Sequence, residues 1–241
     1  MNQRVNSFGQ PIGAELPGWQ PPPRPGRLTL AGRFCRVEPL DVERHARQLH
    51  DANSLDPEGR MWTYLFSGPF ASFEAYRAWL APRPASEDPV FFAFIDLGRG
   101  QAVGLGSYLR IEPGSGSIEV GHLQFSPLMQ RTRVATEAMY LMMKYAFELG
   151  YRRYEWKCDA LNAGSRRAAE RLGFTFEGIF RQAIVYKGRN RDTAWFSILD
   201  REWPALDAAF CAWLDPANFD AQGRQRQRFE ALRATFQPRG V

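Results

Sequence analysis

The chain has 241 residues, 44% of them hydrophobic and 14% aromatic, which places it among soluble globular proteins able to bury a sizeable core. Lys and Arg exceed Asp and Glu by 31 to 26, an imbalance that admits phosphate-bearing partners, with a solvated basic surface as the plainer reading. Cys35, Cys158 and Cys211 are far apart, odd in number and form no CxxC pair, and no apolar run approaches the roughly 18 to 20 residues of a membrane span; a disulfide framework, a zinc site and a bilayer segment are therefore not expected.

The start, MNQRVNSFGQ, lacks the apolar core of a signal peptide, so the expectation is a reduced, cytoplasmic protein. Prolines and glycines in PIGAELPGWQPPPRPG prevent regular structure over residues 1–30, and Trp19 suggests an arm docked on the domain. RFCRVEPL, from Arg33 to Leu40, alternates as a strand does. Asp41 can then cap a helix running to about Asn53, with Ala46 and Leu49 on its inner side. An aromatic, turn-rich stretch follows before Ser72 opens a short helix. PVFFAFIDLG, QAVGLGSYLRIEP and SIEVGHLQFSP read as three strands of an antiparallel meander.

Val134, Ala138, Leu141, Met142, Tyr145 and Leu149 recur at spacings of three and four and mark a long helix that ends at Gly150. YRRYEWKCDA is a strand, NAGSRRAAERLG a helix closed by Gly173, and the segments on either side of Gly188 to Asn190 a hairpin. The remainder contains one or two accessory helices. The expected fold is mixed α/β, with residues 31–203 as the domain, 204–241 as a helical extension, and a right-handed strand, helix, strand crossover in the middle.

That crossover places a helix N-terminus at residues 130 to 135 beside the carboxyl end of the preceding strand, which makes an anion site. In QRTRVA the small Ala135 permits close approach, Thr132 and Thr136 offer hydroxyls, and Arg131 and Arg133 add charge. Glu119, on the preceding strand, is either a general base or a satisfied edge carboxylate. His122 reads as a packed, hydrogen-bonded histidine with no metal-spaced partners, and Gly121 hints at a bulge or a close backbone contact.

These segments resemble the GNAT superfamily of acetyl-CoA-dependent N-acetyltransferases, whose order is a strand, Q/R-x-x-G-x-G/A opening a helix, a second strand, N-x-x-S/A and a G-F step. Here they are EVGHLQFSP, Gln130 to Ala135, YEWKCDALN, Asn162 with Ser165, and Gly173-Phe174. The spacing from Asn162 to Phe174 is similar to the RimJ/RimL-like branch, the ribosomal-protein alanine N-acetyltransferases, over residues 33 to 203. The resemblance implies direct acetyl transfer from acetyl-CoA to a primary amine, either a protein N-terminus or a small-molecule amine, without a metal. It implies pantetheine contacts at Leu123 and Phe125, and pyrophosphate on the N–H groups of Arg131, Thr132, Arg133, Val134, Ala135 and Thr136, with Gln130 a further cofactor-binding candidate. Glu119 would be the base, and Ser165, beside Asn162 at the start of the second helix, would protonate the departing thiolate or orient a water that does. Arg131, Arg133, Arg166 and Arg167 are candidates for the 3′-phosphate of the cofactor.

Arg133 departs from the pattern at its first glycine position. Ala169 stands where many members of the superfamily carry a tyrosine. Trp62, Tyr64, Phe70 and Tyr186 are candidates for the acceptor pocket, and a homodimer is an open option. Two rival readings are a catalytically silent acyl-CoA sensor or scaffold and a basic RNA- or ribosome-associated module. The second of these lacks an RNA-binding motif and an aromatic platform.

Overall fold

Alternation in the first half of the chain and 3.6-residue periodicity in the middle produce one sheet with helices on it. The computed structural model describes residues 4–236; the first three residues of the N-terminal arm and residues 237–241 of the C-terminal segment lie outside the described residues. Eight strands run β1 (Leu30–Ala31), β2 (Cys35–Pro39), β3 (Val90–Asp96), β4 (Gln101–Glu112), β5 (Ser117–Phe125), β6 (Arg153–Asp159), β7 (Thr175–Tyr186) and β8 (Arg189–Leu199). Their order across the sheet is β1-β2-β3-β4-β5-β6-β8-β7. Every neighbouring pair is antiparallel except β5 and β6. The mixed fold with one parallel pair is therefore the architecture expected from the sequence.

Local chemistry sets the helix starts. Asp41 accepts the Arg44 N–H and opens α1 (Val42–Asn53); Ser72 does the same through Ala75 for α2 (Phe73–Leu80). Thr132 caps α3 (Arg133–Glu148), and Asn162 caps α4 (Ala163–Arg171). The β7–β8 hairpin turns on Lys187 (φ 50°) and Gly188 (φ 68°), both left-handed, as a tight two-residue hairpin requires. Downstream lie α5 (Trp203–Leu214) and α6 (Phe229–Phe236).

The two faces of the sheet carry different cores. On one, Phe92, Tyr108, Ile118, Tyr154 and Phe196 pack with α3 and with Phe210 and Phe229 of the C-terminal segment. On the other, Phe91, Ala93 and Leu105 pack with α1, α2 and Trp62. The N-terminal segment is tied down at Arg24, which donates to the Glu87 carbonyl, and at Gly26, whose N–H donates to the Tyr145 hydroxyl at 3.0 Å.

A buried carboxylate fastens α3 to the sheet edge. Glu137 accepts the backbone N–H groups of Arg33 (2.8 Å) and Phe34 (2.6 Å) in the loop between β1 and β2 and of Cys35 (2.6 Å) at the start of β2. This fixes where the N-terminal end of α3 stands relative to β5.

Candidate active site

The parallel pairing of β5 with β6 covers only Ser117 to Val120 against Arg153 to Trp156. Beyond it the strands part, leaving the last residues of β5 and of β6 without each other as partners. On its other side β5 is bulged: Ser107 pairs with Gly121 and Leu105 with Gln124, so His122 and Leu123 together oppose the single residue Gly106. His122 takes a left-handed conformation there (φ 51°).

The first turn of α3 faces this opening. The N–H groups of Arg133 and Val134 have no acceptor inside the helix, whereas that of Ala135 donates to the Thr132 hydroxyl at 3.3 Å and that of Thr136 to the Thr132 carbonyl at 3.4 Å; in the loop before them the Gln130 and Thr132 N–H groups are taken by the Ser126 and Met129 carbonyls. A cavity of about 1550 Å³ results, its wall including Leu123, Phe125, Gln130 to Thr136, Trp156, Asn162 and Ser165. The anticipated loop residues are thus brought together at one opening with those at the start of α4. Its size, the unpaired strand edge and the free helix N–H groups suit an extended ligand that ends in phosphates.

Arg133 is the first residue of α3 and has helical backbone. Its guanidinium lies over the Phe34 ring, 4.2 Å from the centroid, so the side chain leaves the cradle of N–H groups clear. The left-handed residue of the loop is instead Arg131 (φ 59°).

Ser165 is placed by two bonds. Asn162 Oδ1 accepts its N–H at 3.0 Å, and its Oγ accepts the Trp156 indole N–H at 2.9 Å. The indole proton occupies an oxygen lone pair, which leaves the hydroxyl proton for another acceptor; the Cys158 thiol lies within its reach, and Ser165 also lines the cavity. Asn162 is a cap that orients Ser165.

Glu119 is buried on the opposite face of β5, that of α1 and α2. Its Oε2 meets Lys157 Nζ at 2.8 Å and Arg110 Nη1 at 2.7 Å. Lys157 also pairs with Glu155 at 2.7 Å. Burial pushes the Glu119 carboxyl above its ordinary value, while Lys157 and Arg110 pull the other way. A Cβ built on Gly121 would stand 3.6 Å from Oε1, so that oxygen turns along β5 toward the bulge. Lys157 and Arg110 carried no motif. Alternation along β6 from Glu155 was the one signal that places Lys157 on this face.

Other anticipated residues sit elsewhere. Arg166 turns back to donate to the Ala160 carbonyl at 3.3 Å, whereas Arg167, one position further round α4, lines the cavity. Trp62 and Phe70 are packed together in the second core, 5.3 Å between ring centroids, because their apolar area is taken up by Tyr76 and α2. Tyr64 does line the cavity, and its hydroxyl donates to the Leu161 carbonyl at 3.3 Å. Tyr186 donates to the buried Asp159 at 2.8 Å and packs against Phe66. Among the described residues no group of three His, Cys, Asp or Glu side chains is placed to hold a metal ion, and no helix is long and apolar enough to cross a membrane.

Residues 36–175 match the family model described as "Acetyltransferase (GNAT) domain". A GCN5-related N-acetyltransferase from Brucella melitensis is similar in structure, with a TM-score of 0.89 and 49% identity over 91% of this chain and 100% of that one. The structure described as "probable acetyltransferases (GNAT family)" from Chromobacterium violaceum ATCC 12472 gives 0.75 and 42% over 81% and 98%. Among curated proteins, "Putative ribosomal N-acetyltransferase YdaF" of Bacillus subtilis (strain 168) is 27% identical over 172 residues, 69% of this chain and 90% of its own length. The split parallel pair, the capped α3 loop and these likenesses agree: the chain belongs to the GNAT acetyltransferase family and is an acyltransferase.

Proposed function

We propose that the chain transfers acetyl from acetyl-CoA directly to a primary amine, with a protein N-terminus as the first acceptor to test. The observation that carries this is the parting of β5 from β6 beyond Val120 and Trp156, opposite the free N–H groups of α3. The first turn of α3 would hold the pyrophosphate, and the exposed edge of β5 around Leu123 and Phe125 the pantetheine. Acetyl-CoA would supply an activated acyl group as its thioester.

The residues of the chain then divide the work. Glu119 takes the proton of the acceptor ammonium, directly or through water, which frees the nitrogen lone pair for attack on the acyl carbon. The Leu123 N–H polarises the carbonyl oxygen. Ser165 passes its proton to sulfur as the carbon–sulfur bond breaks, and the second proton shed by the acceptor nitrogen as the amide forms restores the serine hydroxyl, directly or through water. Cys158, 6% exposed on β6, has no part in direct transfer.

The acceptor side is roofed by the stretch from Arg60 to Phe70, fixed to the β7–β8 hairpin by Lys187, whose Nζ donates to the Trp62 carbonyl at 2.8 Å. The ribosomal N-acetyltransferase name of the Bacillus relative supports a protein α-amine as acceptor. The test is thiol release from acetyl-CoA in the presence of peptides with free or formyl-blocked N-termini. Release that requires the free α-amine is expected. Binding of acetyl-CoA without release on any amine would favour the silent sensor instead.

A further inference from the structure

The family model ends at residue 175, yet a segment well beyond it lines the cavity, with Trp213, Phe219 and Gln222 to Gln225 in its wall. Phe219 to Gln225 form a small hairpin, bridged at its ends and shaped by Asp220, whose Oδ1 accepts the N–H groups of Gln222 (2.9 Å) and Arg224 (2.8 Å). Trp213 Nε1 pins it to α5 by donating to Gln225 Oε1 at 2.8 Å. From there the Phe219 ring meets Phe34 edge-on at 5.9 Å, and the Arg133 guanidinium lies 5.7 Å from Phe219 and 4.2 Å from Phe34. Phe34 is itself held by Glu137. The residue that departs from the family's loop pattern is therefore seated on a platform half built by the C-terminal segment.

Arg224 lines the same cavity as the first turn of α3 and Arg167. Two other cavity arginines are neutralised, Arg99 by Asp96 at 3.4 Å and Arg171 by Glu230 at 3.7 Å. Arg131, Arg133, Arg167 and Arg224 have no carboxylate within 4.0 Å among the described residues. Four uncompensated guanidinium groups around one cavity repel one another unless an anion lies between them. A diphosphate can be held by helix N–H groups alone, so the surplus of charge points to a further phosphate.

We propose that the hairpin Phe219–Gln225 is part of the co-substrate site, with Phe219 seating Arg133 and Arg224 contacting the phosphate monoester at the nucleotide end of CoA. This rests on the acetyl-CoA reading above. The contact is a charge-assisted hydrogen bond from an exposed arginine to a phosphate oxygen, formed only when ligand is bound.

The experiment is calorimetric titration of the full chain with CoA and with 3′-dephospho-CoA, for the wild type, Arg224→Gln, Arg224→Lys and Arg201→Gln. Arg201 lies past β8, at the opposite end of the sheet, and controls for net charge. Arg224→Gln is expected to weaken CoA binding about tenfold and leave dephospho-CoA unchanged, with partial recovery in Arg224→Lys and no effect in Arg201→Gln. Equal loss for both ligands, or none for either, overturns the proposal and leaves the acetyl-CoA reading standing. Failure of the wild type to bind either ligand overturns both.

Discussion

Trp156 on β6 donates its indole N–H to the hydroxyl of Ser165 in the first turn of α4 at 2.9 Å, which joins the end of the parallel strand to the helix beside the cavity. Ser165→Ala should lower kcat by about 10- to 100-fold with KM for acetyl-CoA changed less than about threefold, since the role proposed for the hydroxyl is in departure of the thiolate and not in binding. Trp156→Phe, which releases Ser165 to rotate, should give a smaller loss in kcat. Steady-state kinetics with each variant check this; a Ser165→Ala enzyme with wild-type kcat would remove the serine from the mechanism.

Glu119 should show itself in a pH profile. Burial raises its carboxyl above the ordinary glutamate value, so the acid limb of kcat/KM is expected to fall as pH drops through a point above that value, where the base becomes protonated. Glu119→Gln should cut turnover by about 100-fold or more, abolish that limb and preserve acetyl-CoA affinity, because Lys157 keeps Glu155 as a partner. An unchanged profile with collapsed affinity would make the glutamate structural.

His122 predicts a stability change with pH. Burial, with Arg83 and Arg110 adding to it and Asp88 opposing, pushes its pKa down to about 4. The unfolded chain protonates it near the ordinary value of about 6.5. Its contribution is thus fully present above about pH 6.5 and is lost as pH falls toward 4, a difference of roughly 3 kcal/mol in all. His122→Asn suits the left-handed backbone at φ 51° and should flatten that part of the curve. Denaturant unfolding of both proteins between pH 7 and pH 4 measures the difference.

Glu137 is expected to be the costliest single carboxylate to alter near the site. Its two oxygens serve three backbone N–H groups, that of Cys35 buried, and a Cβ on Gly32 would come within 2.5 Å of the carboxylate. Glu137→Gln replaces one acceptor with an NH₂ facing backbone N–H donors and should destabilise by about 2 to 4 kcal/mol. Gly32→Ala should destabilise too, by crowding the same carboxylate. Thermal unfolding tests both.

Arg131 and Arg133 should respond in opposite ways. Glycine at 131 relieves a left-handed non-glycine residue and should raise stability by up to about 1 kcal/mol. Glycine at 133 stands in a helix and should lower stability by up to about 1 kcal/mol, with acetyl-CoA affinity falling tenfold at most if main-chain groups hold the pyrophosphate.

What the sequence revealed was what short-range chemistry determines. The caps at Asp41 and Ser72, the period of α3 and the turn at Gly188 each depend on neighbours within a few residues, and each stands where the pattern puts it. Cross-strand register was not legible, so Glu119 could be placed on its strand but not beside Lys157 and Arg110. Helix rotation was not legible either. Alanines spread around NAGSRRAAERLG leave the choice between Arg166 and Arg167 to packing, and packing turned Arg167 to the cavity. Aromatic residues between Trp62 and Phe70 read as pocket or core equally well, and Trp62 and Phe70 went to the core. The return of Phe219 and Arg224 to the cavity comes from α5 docking on α3, a long-range contact with no motif.

We propose that this GNAT family member uses acetyl-CoA at the opening between β5, β6 and α3. Calorimetric titration of the full chain with acetyl-CoA, with desulfo-CoA as the control for the nucleotide end, tests it most directly. One micromolar site for each ligand is the result expected. Absence of binding to both at millimolar ligand would contradict it, since a cavity that cannot hold the donor cannot transfer its acetyl group.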